Sequence, residues 1–259
     1  MTEALVARAA QDHRGWRSPA NLVHGAWRRL KSPPVFVFQM GKVGSSAVQA
    51  TVESVWRGTV DHSHGILQIA PGARAELEIC RRLGLRSYFI TPVRDPVSRA
   101  VSAFFQNFTH DTGLDWSDAP ASTAEMVSLF LEKHRSRDLH WFDRFVKAEF
   151  GFDVFATPFD RARRWQAYSH GAMRVLVYRT DLDRTLQLEA VSGFLGVRIP
   201  AWVRRNESSD KNYAELYADF CREAVLPRSY IDEMHGSRFA RHFWTEEELD
   251  GYARQWSAR

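Results

Sequence analysis

The stretch Val35-Phe36-Val37-Phe38-Gln39-Met40-Gly41-Lys42-Val43-Gly44-Ser45-Ser46 places a short apolar run directly before a glycine-rich turn. Consecutive β-branched and aromatic residues predict a buried strand. Val48 and Val52 then recur at helical spacing, which predicts a helix after the turn, to about Trp56. Strand, glycine-rich turn and helix in this order are typical of α/β proteins, in which anions bind at the start of such a helix.

The same alternation continues along the chain. Further strands are predicted near 59–62, 87–90 and 173–178, and helices over 70–83, from Pro96, over 122–134 and over 183–195. Residues 138–170 are predicted to be largely helical, and the C-terminal part is helical, with Thr245 capping the last helix. This order predicts a three-layer α/β/α fold with a central parallel sheet and a helical C-terminal part.

Composition limits the class of protein. A chain of 259 residues with 44% apolar and 25% charged residues predicts one large domain over 35–259, preceded by a basic N-terminal arm over 1–34. The net charge of +4 suits an anionic ligand. Cys80 and Cys221 lie far apart, which argues against a disulfide framework or a zinc ribbon. No apolar run approaches the roughly 18 residues that span a bilayer, so a cytoplasmic protein is expected; its oligomeric state is left open.

The glycine-rich turn carries chemistry that suits a phosphate or a phosphosulfate. Gly41 and Gly44 let backbone amides approach an anion closely, and Lys42 supplies a mobile positive charge. Ser45 and Ser46 add hydroxyl donors at the helix start. The turn is not a Walker A loop, which would need a glycine and a hydroxyl residue at other positions. An ordinary glycine-rich turn between a strand and a helix has the same composition.

A second signal lies in Thr91-Pro92-Val93-Arg94-Asp95-Pro96-Val97-Ser98-Arg99-Ala100-Val101-Ser102, again where a strand passes into a helix. The planar fork of Arg94 can bind a phosphate, and Ser102 lies further along the helix. Asp95 is expected to cap that helix. Arg99 is expected to pair with a carboxylate or to face solvent.

These two signals resemble sulfotransferases that use the activated sulfate donor PAPS (3′-phosphoadenosine-5′-phosphosulfate). Lys42, Gly44 and the serine pair resemble that family's 5′-phosphosulfate loop, although Met40-Gly41 stand where the family usually has a proline before the lysine and serines replace paired threonines. Arg94 and Ser102, eight residues apart, resemble the arginine and serine that hold the 3′-phosphate. The segment 174–196 resembles the family's late strand, acidic turn and following helix.

The resemblance implies a P-loop-NTPase-like sulfotransferase fold, PAPS as donor and PAP as product. The expected donor-binding residues are Gly41, Lys42, Val43, Gly44, Ser45, Ser46, Arg94 and Ser102, with Lys42 also stabilising the leaving phosphate. No metal is required. Residues 140–160 are similar to bacterial proteins described as capsular polysaccharide synthesis proteins, which implies a carbohydrate hydroxyl as acceptor; a small metabolite or a lipid headgroup is the alternative. Nucleic acid is not an expected partner.

The acceptor hydroxyl needs a general base. Asp61-His62-Ser63-His64-Gly65 follows the second predicted strand, at the edge where the glycine-rich turn lies. His64 is the first candidate, as in carbohydrate sulfotransferases of similar layout, and His62 is the reserve; Glu53 or Asp61 could substitute. A structural histidine and a metal-binding His-x-His pair are the alternatives.

Two rival functions are compatible with the same motifs. One is a nucleotide-dependent kinase or phosphotransferase; the other is a non-catalytic module that binds nucleotides or polyanions. The polar loop 204–211 is expected to close over the 3′-phosphate, to meet an anionic acceptor, or to be an ordinary solvated loop.

Overall fold

The computed structural model describes residues 31–134, 138–203 and 213–257. Its centre is a five-stranded sheet with the strand order β2-β1-β3-β5-β4. The strands are β1 (Val35–Phe38), β2 (Val60–Ser63), β3 (Ser87–Val93), β4 (Trp165–His170) and β5 (Met173–Arg179). The strand that opens the glycine-rich turn therefore lies inside the sheet, between β2 and β3.

The sheet is mixed, so the prediction of a purely parallel sheet is wrong. β1, β2, β3 and β5 run parallel, whereas β4 pairs antiparallel with β5. The predicted helical character up to residue 170 is wrong for the same reason. Gly171, with a φ of 56°, helps to form a tight turn that sets His170 opposite Met173. The backbone hydrogen bonds of this hairpin outweigh the weak local pattern of the segment.

The helices cover both faces of the sheet and extend beyond it. They are α1 (Ser45–Glu53), α2 (Pro71–Leu83), α3 (Pro96–Gln106), α4 (Phe108–Thr112), α5 (Thr123–Lys133), α6 (Arg184–Leu195), α7 (Ala214–Glu223), α8 (Arg228–His235), α9 (Arg238–Phe243) and α10 (Glu246–Trp256). A π-helical segment, Phe142–Lys147, lies between α5 and β4.

Alternate side chains of β1 point to opposite layers, as the pleat of a strand requires. Phe36 and Phe38 pack into a core with residues of α2 and α9, while Val35 and Val37 pack into a core with residues of α1 and α6. The predicted arrangement of helices on both sides of a sheet is therefore confirmed.

A third core consists of helices alone. It joins α3 and α5 to the C-terminal helices α7, α8 and α10 through buried aromatic side chains that include Phe104 and Phe220. The predicted helical C-terminal part is confirmed. Two helix caps follow the predicted chemistry. Thr245 and Glu248 form a capping box on α10, and Asp95 accepts the Ser98 N–H at the start of α3.

Two predicted features, the basic N-terminal arm and the polar loop before α7, concern residues that the structure does not describe. Residues 1–30 of the basic arm and the loop 204–211 lie outside the described residues. Within the described ranges, none of the helices combines the length and the apolar character needed to cross a membrane.

Candidate functional site

The candidate site lies at the carboxyl edge of the four parallel strands. Phe38 of β1 is in register with Ser63 of β2, so Gln39 and His64 follow neighbouring strand ends. Arg94 follows β3 at the same edge. The structure thus brings together the glycine-rich turn, the arginine of the second signal and the histidine pair, which are separated by up to about fifty residues of sequence.

The turn after β1 has a left-handed backbone at three positions. The φ angles are 81° at Gly41, 62° at Lys42 and 71° at Gly44, and Gly44 is the N-cap of α1. No side chain caps α1 in the described structure, although the Ala47 N–H donates to the Gly44 carbonyl over 3.3 Å. The first N–H groups of a helix lack partners within the helix itself and are available to an anion. Ser45 is buried and Ser46 half-buried in the first turn, while the buried Val43 anchors the loop in the core. This geometry suits an anion.

Side chains from α3 support the turn. Lys42 donates through Nζ to Oε1 of Gln106, and the buried Arg99 donates to the Met40 carbonyl over 3.4 Å, so the solvent-facing alternative for Arg99 is wrong. Ser102 lies between Arg99 and Gln106 on the same face of α3, because residues three and four apart share a helix face. That face is directed towards the turn.

Arg94 lies between the glycine-rich turn and the C-terminal helices. Its Nη1 donates to the Lys42 carbonyl over 3.3 Å, and its Nη2 donates to the Tyr217 hydroxyl of α7 over 3.4 Å. Both bonds are long, so an anion that offers the fork a shorter, charge-assisted contact could replace them at little cost.

A cleft of about 280 Å³ opens beside the turn. Three positive side chains, Lys42, Arg94 and Arg184, line it together with Thr180, which follows β5, and Trp202. The indole of Trp202 is held by Arg184 at the start of α6: its Nε1 donates to the Arg184 carbonyl over 2.7 Å, and the Arg184 guanidinium lies 5.1 Å from the ring centroid. The cleft therefore combines three cations with a fixed aromatic wall.

The β5 end of this cleft is held by a buried ion network. Arg179, whose side chain is 1% exposed, donates to Asp181 over 3.0 Å and to Glu248 of α10 over 2.7 Å. Burial would raise the pKa values of the two carboxyls, but their bonds to Arg179 outweigh it and lower them. Thr180, between two residues of this network, is thus held firmly in the cleft wall.

The histidine pair is coupled to the turn through one buried side chain. Gln39 is fully buried; its Oε1 accepts the Gly41 N–H, and its Nε2 lies 3.1 Å from His62 Nε2 and 2.8 Å from His64 Nδ1. His62 Nε2 also lies 2.7 Å from the Ser45 hydroxyl. The two imidazole rings are 5.3 Å apart, and the Trp141 indole donates to the His64 carbonyl over 2.8 Å.

The two histidines differ in exposure. His64 is exposed and His62 half-buried. Burial, and then the neighbouring His64, lower the pKa of His62, while Asp61 and Glu53 raise it by less. Its surroundings therefore favour the neutral form of His62. The described residues contain no group of three or more His, Cys, Asp or Glu side chains placed to hold a metal ion.

Four contributors were missed by sequence reasoning: Gln39, Gln106, Tyr217 and Trp202. Gln39 directly precedes Met40 and the glycine-rich turn but belongs to no recognised motif. Gln106 is predicted only to lie in the helix that Asp95 caps, eleven residues earlier. Tyr217 and Trp202 reach the site through long-range packing. No local pattern in the sequence marks them.

The chain was also compared with known proteins. Residues 120–245 match the model of a family described as "putative capsular polysaccharide synthesis protein". The match spans just under half of the chain; it includes Trp141, β4, β5 and Trp202 but not the glycine-rich turn or Arg94. No curated protein and no solved structure matches the chain. The family similarity fits a role in carbohydrate modification.

Proposed function

We propose that the protein transfers a sulfuryl group from PAPS to a hydroxyl group of a carbohydrate. The observation that carries the proposal is the convergence of Lys42, Arg94 and an open helix start on one cleft beside Trp202. PAPS has anionic groups at both ends of its ribose and a flat base, so it requires two cationic subsites and an aromatic or apolar wall. The residues present fit these requirements.

Each part of the donor has a proposed partner. The phosphosulfate would lie on the Gly41 to Ser46 turn, where backbone amides including that of Ser45, the Lys42 ammonium and the Ser46 hydroxyl donate to its oxygens. Arg94 and Ser102 would hold the 3′-phosphate, and Trp202 would face the adenine. PAPS supplies an activated sulfuryl group with PAP as leaving group. The protein's part is to position the acceptor in line and to stabilise negative charge.

The acceptor hydroxyl would lose its proton to the histidine pair. His64 remains the first candidate because its ring is exposed and close to the turn: a side-chain carbon at position 41 would meet His64 Cε1 at 3.8 Å. A proton acceptor beside the sulfuryl site is what general-base catalysis requires. A carbohydrate acceptor is proposed because the family similarity concerns polysaccharide synthesis.

The donor can be tested by thermal unfolding with PAP, and separately with ATP and magnesium. A ligand present at about 100 times its Kd stabilises the folded state by about 2.7 kcal/mol. We expect PAP to raise Tm and ATP with magnesium to have a much smaller effect. The reverse ranking would favour a nucleotide-dependent kinase or phosphotransferase, and no effect of PAP would refute the proposal.

The reaction itself can be tested with radiolabelled PAPS and panels of polysaccharides, glycolipids and phenols. Label should pass to a carbohydrate and not to phenols. If PAP binds but no acceptor is labelled, and nucleic acid binds with a steep salt dependence, the protein is instead a non-catalytic polyanion-binding module.

A further inference from the structure

The side chain of Gln39 occupies the centre of the candidate site although no motif includes it. It is completely buried at the end of β1, between the glycine-rich turn and the two histidines. A buried amide needs partners for both of its ends, because an unsatisfied polar group costs about 1–3 kcal/mol. The partners of Gln39 are backbone and side-chain atoms of the proposed catalytic residues.

The direction of the amide follows from its partner on the turn. The Gly41 N–H can only donate, so the atom that faces it must be the acceptor Oε1. The amide NH₂ group is therefore directed towards His62 Nε2 and His64 Nδ1. His62 Nε2 also meets the Ser45 hydroxyl, which can donate to it. A neutral His62 with its proton on Nδ1 satisfies all of these contacts.

His64 meets Gln39 twice. Its Nδ1 lies 2.8 Å from the side-chain Nε2 and 3.1 Å from the main-chain oxygen of Gln39. A protonated Nδ1 can donate to the carbonyl, and a bare Nδ1 can accept from the amide, so each neutral tautomer has a partner without rotation of the ring. The tautomer with the proton on Nδ1 leaves Nε2 as the proton acceptor that a general base needs.

We infer that Gln39 is a positioning residue for the histidine pair: its amide links the Gly41 N–H to both rings and keeps His62 Nε2 free of a proton, while its amide and its main-chain oxygen hold the His64 ring in either neutral tautomer. The effect of Gln39 on turnover rests on the proposed function, whereas its effect on the protonation of the imidazole rings does not. The other charged and titratable groups that act on His62 are Asp61 on its own strand, Glu53 of α1 and His64.

The variant Gln39→Glu tests the inference by reversing the polarity of one contact. A carboxylate still accepts the Gly41 N–H but places an acceptor where the NH₂ group donates, so protonated rings become more stable. We expect the pKa of His62, measured by NMR titration, to rise by about one unit or more. The acidic limb of the turnover profile should move to higher pH, with a smaller change in PAP affinity.

Gln68→Glu is the matched control. It introduces the same charge nearby, but Gln68 accepts only the main-chain N–H of His64, over 3.0 Å, and bonds to neither ring. Its effect on the His62 titration should be clearly smaller than that of Gln39→Glu. Equal shifts in the two variants would overturn the inference.

A second measurement needs no variant and covers the case in which Gln39→Glu does not fold. Nitrogen-15 NMR of the wild-type rings should show His62 neutral at pH 7, with the proton on Nδ1 and a bare Nε2. A proton on His62 Nε2 would overturn the inference. If these ring states are found but no sulfate is transferred from PAPS, only the proposed function fails.

Discussion

At the scale of single residues, the site is built from long or shared contacts that a ligand can replace. Arg94 is held by two bonds of 3.3 and 3.4 Å, and Lys42 is held by the exposed amide of Gln106. Among the described residues, Arg94 forms no buried ion pair comparable to that of Arg179 with Asp181 and Glu248. Cations of this kind are suited to bind an incoming anion, whereas Arg179 stabilises the fold.

Replacing Arg94 by methionine should weaken PAP binding by about 10- to 100-fold, because hydrogen bonds to charged groups contribute about 1.5–3 kcal/mol. The measurement is isothermal titration with PAP. Arg86→Met is the control: Arg86 precedes β3 at the opposite edge of the sheet and contacts Tyr88. Equal PAP affinities for the two variants would contradict the placement of the 3′-phosphate at Arg94.

Replacing His64 by alanine should lower turnover by about 10²- to 10⁴-fold, the range of a lost general base. The affinity for PAP should stay close to that of the wild type, because the donor-binding contacts proposed above do not use the imidazole. Transfer of labelled sulfate and PAP titration measure the two effects. Turnover retained in His64→Ala but lost in His62→Ala would move the base to His62.

At the scale of elements, the start of α3 is fixed from two directions. Asp95 caps the helix by accepting the Ser98 N–H over 2.7 Å, and its other oxygen lies 2.9 Å from His235 Nε2 of α8. Both side chains of this pair are buried. The pair joins the helical C-terminal part to the strand end that carries Arg94, so it determines where Arg94 stands.

Asp95→Ala should therefore lower the free energy of unfolding by more than the loss of a helix cap alone would. A lost N-cap costs about 1 kcal/mol, and a buried His235 without its partner adds about 1–3 kcal/mol to the loss of unfolding free energy. Urea unfolding measures the total. Ser122→Ala, which removes the exposed cap of α5, is the control and should cost about 1 kcal/mol or less. Equal losses in the two variants would show that the bond to His235 adds nothing.

At the scale of the whole molecule, three cores hold the fold together: one on each face of the sheet and one among the helices. Polar groups inside or near these cores make stability depend on pH. His242 is such a group: it packs against Phe155 and Phe243, and its Nε2 is buried with no hydrogen-bond partner in the described part of the chain.

Burial, and then Arg161 and Arg238, lower the pKa of His242 to about 4, although Asp153 opposes the shift. The unfolded chain, with an ordinary pKa near 6.5, takes up a proton first, so this histidine lowers stability as the pH falls from about 6.5 towards 4. We therefore compare the free energy of unfolding of His242→Phe with that of the wild type at each pH. This difference should favour the variant by about 1 kcal/mol more at pH 5 than at pH 7, after allowance for solvent screening.

Thermal or urea unfolding at both pH values measures this difference. His110→Gln, at a side chain that is 90% exposed, is the control for removal of an imidazole from the surface. The prediction fails if His242→Phe loses stability between pH 7 and pH 5 as steeply as the wild type does.

Much of the fold follows from local signals. The apolar run at 35–38 and the glycines after it predict β1 and the turn, and Asp95, Ser122 and Thr245 predict helix starts that the structure confirms. Each of these depends on interactions within a few residues, which the sequence displays directly. Sequence reasoning also predicted that the two anion signals and the histidine pair share an edge, because parallel strands end on the same side.

The sequence by itself therefore determined the strand–turn–helix elements, their caps and the chemical character of the turn, since side-chain periodicity and capping act over a few residues. Only the tertiary structure decided that Trp165–His170 is an edge strand, because its partner is β5 and not its own neighbours in a helix. Only the tertiary structure placed Trp202 and Tyr217 beside the cleft and Gln39 between the turn and both histidines. These positions depend on contacts between residues that are distant in the chain, and such contacts form only when the whole core packs.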